Sequence, residues 1–168
     1  MPPRRHAVPE LQPWGRMMHG DIAWAAVADG GRLRILERAV RRAPWLELAA
    51  EATRHPDPPS RSLGTDRPGR SHESLGSARH AIEPRQDLHE AAEAAFAREV
   101  ADRLERAASA GRFGRLVLVA PPAFLGRLRP ALGEQSRRRL AGTLNRDLTH
   151  LPEQELAARL AEEDLPQA

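Results

Sequence analysis

Apolar positions along the chain fall into short runs separated by glycine, proline and charge, and each run has the length of one secondary-structure element. Residues 21–28 form the first, with Trp24 and Val27; Asp29-Gly30-Gly31-Arg32 then supplies glycine-rich turn chemistry, and Leu33, Ile35 and Leu36 resume the apolar pattern. This spacing predicts a β-hairpin. After Pro44, residues 45–52 read as a third, edge strand carrying Trp45, Glu47 and Leu48, with alanines that leave helix open as an alternative. At Asp87 the period changes. Asp87 as N-cap with Glu90 three residues on forms a capping box, and Leu88, Ala92, Phe96, Val100 and Leu104 recur on one helical face as far as about Ala110. Gly111 suits a left-handed helix stop, and the continuous apolar run 116–120 predicts a buried central strand. Pro121-Pro122 opens a helix that turns Phe124, Leu125, Leu128 and Leu132 inward and is kinked or shortened by Pro130. Residues 138–149 follow as a strand. Pro152, with Glu153 and Glu155 in the first turn, opens a last helix with Leu156 and Leu160 toward the core. The predicted order is β-β-β-α-β-α-β-α, an α/β domain over residues 21–164.

One stretch breaks the pattern. Residues 54–86 hold Pro56, Pro58, Pro59, Pro68 and Pro84 with Gly64, Gly69 and Gly76, and they read as one long loop. A connection of this length inside a domain is uncommon, being either functional or disordered. Residues 1–20, with Pro2, Pro3, Pro9 and Pro13, read as a disordered tail.

At 168 residues the chain is long enough to bury a core as one domain. The absence of cysteine excludes disulfides, thiolate nucleophiles and cysteine-held zinc or iron–sulfur sites. No apolar run approaches the roughly 20 residues that cross a bilayer, and the prolines of the tail interrupt any signal-peptide core, so a cytoplasmic address without membrane insertion is expected. All 26 basic residues are arginine, which fits either a GC-rich genome or selection for planar anion-binding forks. The net charge of +3 hides an asymmetry: residues 121–146 carry six arginines against Glu134, and residues 147–168 carry six acids against Arg159. On different faces these segments would leave a positive patch for RNA, the ribosome or an acidic partner; on one face they would neutralise each other.

Candidate chemistry concentrates in the long loop. Arg61, Arg67, Arg70, Arg79 and Arg85, with His72 and His80, are able to grip phosphates through charge-assisted, two-pronged bonds. The other reading is a solvated loop in which Asp66, Glu73 and Glu83 pair with those arginines. The loop holds no Trp, Phe or Tyr, so the nucleic-acid mode expected is contact with the backbone rather than stacking on bases. Arg137, Arg138 and Arg139 form a second basic cluster. An alternative of another class is hydrolysis of an ester or phosphoester, with Ser71, His80 and a loop carboxylate as nucleophile, base and orienter. Neither Ser71 nor Ser74 sits in a Gly-x-Ser-x-Gly elbow. His80, His89, Glu90 and His150 are metal-ligating types without His-Glu-x-x-His spacing, and neither a metal nor another cofactor is expected. Asp29 and Arg32 fit turn formation, while Asp147, Thr149 and His150 stand where a cap for the last helix belongs.

Five segments carry a resemblance. The run from Val27 through Asp29-Gly30-Gly31-Arg32 to Leu36, then Asp66-Arg67-Pro68-Gly69-Arg70-Ser71, Arg79-His80-Ala81, the run from Leu116 to Pro122, and Asp147-Leu148-Thr149-His150-Leu151-Pro152 resemble, in this order and spacing, a family of bacterial proteins required for attachment to host cells. The resemblance covers about residues 18–162 and implies a start near Met18, with residues 1–17 an extension. It also implies a fold similar to the middle domain of archaeal and eukaryotic peptide-chain release factors, an α/β sandwich around a mixed sheet, and so a link to translation. In those factors a Gly-Gly-Gln loop helps position water for ester hydrolysis on the ribosome. No Gly-Gly-Gln occurs in this chain, where Gly30-Gly31 precedes Arg32 in a hairpin turn. The expectation is therefore a non-enzymatic, RNA- or ribosome-associated protein acting indirectly on attachment, with Arg67, Arg70, Arg79, His80, Arg137, Arg138 and Arg139 as its anion contacts.

Overall fold

The structure, a computed structural model, describes residues 22–55 and 78–163. Two antiparallel strands, β1 (Ala23–Ala28) and β2 (Arg32–Arg38), form the expected hairpin, with Ala26 opposite Ile35 and Ala28 opposite Leu33. On the other side of β1 lies β5 (Arg115–Ala120), parallel to it, followed by β6 (Leu140–Asn145), parallel to β5. Two short strands, β3 (Leu46–Glu47) and β4 (Thr53–Arg54), pair antiparallel with β2. The result is a mixed six-stranded sheet in the order β3-β2-β1-β5-β6, with β4 beside β3 on the edge of β2.

β1 and β5 lie inside this sheet and read as continuous apolar runs because helices cover both faces. Alternate residues serve the two sides. Trp24, Ala26 and Ala28 of β1, with Leu116, Leu118 and Ala120 of β5, pack beneath Phe96, Val100 and Leu104 of α1 (Ala78–Ser109) and Phe124, Leu125 and Leu128 of α2 (Pro122–Ala131). Ala25, Val27, Val117 and Val119 point the other way, against Leu156 and Leu160 of α4 (Glu153–Glu162). The short α3 (Glu134–Arg139) completes the first helical layer. α1 stops as its sequence predicts: Gly111 takes φ 70°, and the N–H groups of Gly111 and Arg112 return to the carbonyls of Ala108 and Ala107.

Five expectations need correction. α1 begins at Ala78, so Asp87 and Glu90 lie within the helix rather than capping it, and the break in regular structure is shorter than 54–86. Helix-favouring Ala78, Arg79, Ala81, Ile82 and Glu83 carry the helix through Pro84, whose missing N–H removes one backbone bond. Leu88 consequently lies outside the core, 72% exposed. The third strand predicted over 45–52 is broken into β3, a 3-10 turn at Ala49–Glu51, and β4. This segment is held against α1 by side chains: Arg103 donates to the Thr53 hydroxyl and to the Glu51 carbonyl, and Arg112 pairs with the Glu51 carboxylate. Finally, the strand predicted over 138–149 is only β6, preceded by α3 and followed by an irregular connection. The observed order is β-β-β-β-α-β-α-α-β-α.

Candidate functional site

The turn that follows β1 organises one end of the sheet. Oδ1 of Asp29 accepts the backbone N–H groups of Gly31 at 2.8 Å and Arg32 at 2.7 Å, and the Asp29 N–H donates to the Arg32 carbonyl at 3.0 Å. These bonds fix the turn locally. The remaining oxygen, Oδ2, lies 2.8 Å from the hydroxyl of Thr149, a residue 5% exposed. The same hydroxyl lies 2.8 Å from Oδ1 of Asp147, which also accepts the Thr149 N–H at 3.3 Å. One hydroxyl hydrogen serves two carboxylates, so it donates to one at a time. His150 stands next to this group, Nδ1 being 3.9 Å from Asp147 Oδ1. Asp147 and Thr149 therefore tie the 147–151 connection to the hairpin turn. They do not cap α4, whose N-terminus has no side-chain cap.

Arg34 of β2 secures the same connection. Its Nε and Nη2 bind the Glu47 carboxylate at 2.8 and 2.6 Å, while Nη1 donates to the carbonyls of Thr149 at 3.2 Å and Leu151 at 2.5 Å. Both partners are mostly buried, and the Glu47 hydrogen bonds raise the Arg34 pKa above its ordinary value despite partial desolvation. A permanent charge is thus spent on holding backbone.

A cavity of about 250 Å³ opens beside the glycine turn, between the carboxyl end of β1 and α1. This is the edge at which open α/β sheets place their ligands. Arg32 and Arg54, directly opposite in the β2–β4 register, line it with His55, His89, Glu93 and Phe96. The His55 N–H donates to the Gly31 carbonyl at 2.7 Å, and its ring packs 4.8 Å from Phe96 while Nε2 meets Glu99 at 2.8 Å. Glu93 is engaged by His89 at 3.1 Å and by Arg127 of α2 at 3.3 Å. Gly30 permits this packing: a Cβ there would lie 2.8 Å from Glu93 Oε1.

The family-motif residues Asp29, Gly30, Gly31, Arg32, Asp147 and His150 are thus brought to one end of the sheet. Arg54, His55, His89, Glu93 and Thr149 join them; of these, only Thr149 stands inside a motif segment. Asp66, Arg67, Arg70 and Ser71 lie outside the described residues, and Arg79 and His80 fall on the first turn of α1. Among the described residues no group of three or more His, Asp or Glu is placed to hold a metal ion, and no helix is long and apolar enough to cross a membrane.

The second basic cluster lies elsewhere. Arg137, Arg138 and Arg139 form the last turn of α3, where cations suit the carbonyl end of a helix. Arg138 pairs with Glu134, Arg137 donates to the Leu132 carbonyl at 3.0 Å, and Arg139 donates to Gln135. Arg129 and Arg137 line a groove of about 630 Å³ between α2, α3 and the outer strand β6, together with Thr143 and Asn145. α2 and α3 lie on one face of the sheet and the acidic α4 on the other. Among the described residues Arg146–Glu163, at 3.2 Å, is the one ion pair joining the basic segment to the acidic one.

No curated protein matches this chain. A family model described as protein required for attachment to host cells matches residues 24–160, from the second residue of β1 to the buried Leu160 of α4. That span includes both helical layers, the glycine turn and Thr149. The chain therefore belongs to the family of proteins required for attachment to host cells.

Proposed function

We propose that this protein is a non-enzymatic, RNA- or ribosome-associated factor, related in fold to the release-factor middle domain, whose effect on attachment is indirect. The observation that carries the reading is the separation of charge. The segment holding α2, α3 and β6 has six arginines and one acid, and α4, with Glu153, Glu155 and Glu162, lies on the opposite face of the sheet. Among the described residues, ion pairing of this segment is limited to Arg146–Glu163, Arg138–Glu134, and Arg127 with Glu90 and Glu93 of α1. Arg129, Arg137 and Arg139 have no carboxylate partner among the described residues, and two of them line the groove beside β6. Such a surface suits a phosphate backbone, because clustered guanidiniums bind phosphates without reading sequence.

Co-sedimentation with ribosomes and with ribosomal RNA across a salt series tests this. Binding is expected to weaken as salt rises, and replacing Arg129 and Arg137 with Gln should lower both affinity and salt dependence, the log–log slope falling by roughly one for each phosphate that is no longer neutralised. Absence of binding at low salt overturns the reading.

A further inference from the structure

We propose that the groove between α2, α3 and β6 seats a single strand of RNA and distinguishes it from DNA, with Thr143 and Asn145 reading the ribose 2′-hydroxyl and Gly126 kept bare so that the strand lies close to α2. This rests on the nucleic-acid reading given above and names the class of strand that the groove takes. Pro122, Leu125, Gly126 and Arg129 line the groove at helical spacing, so one face of α2 forms one wall. The opposite wall is β6, the outermost strand of the sheet on this side. Thr143 and Asn145 stand opposite Leu118 and Ala120 of β5, which belong to the core beneath α1 and α2, so alternation along β6 turns both polar side chains toward α2. Both are exposed. Among the described residues that line the groove there is neither an acid nor an aromatic ring, and Arg137 donates only to a backbone carbonyl.

Gly126 is the observation that points to a ligand lying close. It sits in the middle of α2, where glycine costs helix stability relative to alanine. Neither packing nor backbone conformation requires it: a Cβ there would meet no atom within 4 Å, and among the described glycines only Gly111 has a positive φ. The use left for the bare position is close approach of a ligand to the helix backbone. Opposite it, a threonine hydroxyl and an asparagine carboxamide both donate and accept, as a ribose 2′-hydroxyl does, so they pair in either sense. Deoxyribose would cover the same groups and leave them without a partner. Two residues apart on one face, Thr143 and Asn145 are roughly 6.6 Å apart along the strand, so neighbouring sugars can each meet one of them. At about 630 Å³ the groove has the size of a small-ligand site and takes a short stretch of one strand rather than a duplex.

The test is fluorescence anisotropy of the full chain with a single-stranded oligoribonucleotide and the oligodeoxyribonucleotide of matching sequence and length, at one low salt concentration. The RNA strand should bind about tenfold more tightly. Thr143→Val combined with Asn145→Ala should bring RNA down toward the DNA value and leave DNA unchanged, whereas Arg129→Gln should weaken both strands alike. Gly126→Ala should raise the midpoint of urea unfolding. Gly126→Leu, whose side chain extends into the groove, should weaken both strands, with a urea midpoint no lower than the parent's showing that the loss is not unfolding. Equal affinity for the two strands, a preference undiminished in the Thr143 and Asn145 variant, or RNA binding undiminished in Gly126→Leu overturns this inference and leaves the phosphate-backbone reading standing. Binding of neither strand overturns both.

Discussion

The hydroxyl of Thr149 lies 2.8 Å from Oδ2 of Asp29, joining positions 120 apart in the chain. Replacing Thr149 with Val keeps the shape and removes the donor, leaving the inner oxygen of Asp29 without its partner. A loss of about 1–3 kcal/mol is expected in urea unfolding, with Thr149→Ser closer to the parent chain. Equal midpoints for the parent and the Val variant would show that the hydrogen bond contributes nothing.

The two described tryptophans should respond differently to Phe. Trp24 Nε1 donates to Glu37 at 2.9 Å, its ring lies 4.9 Å from Phe113, and the residue is fully buried. Trp45 is also buried, beneath the Arg38 guanidinium, but its Nε1 has no acceptor among the described residues. Trp24→Phe removes a made hydrogen bond, whereas Trp45→Phe removes an unmade one. The first is expected to cost about 1–2 kcal/mol more than the second in chemical denaturation. The opposite order would contradict the assignment of these hydrogen bonds.

Glu105 of α1 provides a pH-dependent term. The Ser136 N–H, together with the Gln135 N–H and the Ser136 hydroxyl, holds its carboxyl below the ordinary value of 4.5. A carboxylate with a lower pKa folded than unfolded adds stability above its unfolded pKa, and this is lost as pH falls through the folded value. Stability is expected to decline below about pH 4.5, less steeply in Glu105→Gln. Gly133→Ala should have a similar effect, because its Cβ would overlap the Glu105 carboxyl group. Unfolding measured across acid pH checks both, and parallel curves for parent and variants would refute the linkage.

Local pattern was sufficient wherever a segment's partners mattered less than its own residues. β1 and β5 announce themselves as apolar runs, the hairpin by Asp29-Gly30-Gly31, the end of α1 by Gly111, and α4 by Pro152 with Leu156 and Leu160. α3 gives no such signal: Glu134–Arg139 is polar throughout, and its first turn is satisfied by Glu105 from another helix. The edge strand expected over 45–52 survives only as β3, whereas the 3-10 turn and β4 give no local signal, since Arg103 and Arg112 hold Glu51 and Thr53 from a distance.

The candidate site divides along the same line. Its turn is written in four adjacent residues, because Asp29 binds its own neighbours. Membership of the cavity wall is not local: Arg54 becomes part of it only by pairing opposite Arg32, His55 by donating to Gly31, and Glu93 by lying against Gly30. Charge count likewise belongs to the chain, but its separation onto two faces follows from α2 and α3 packing on one side of the sheet and α4 on the other. Short-range hydrogen bonds and period fix elements, whereas pairings between residues far apart in sequence exist only once the sheet has closed around its core.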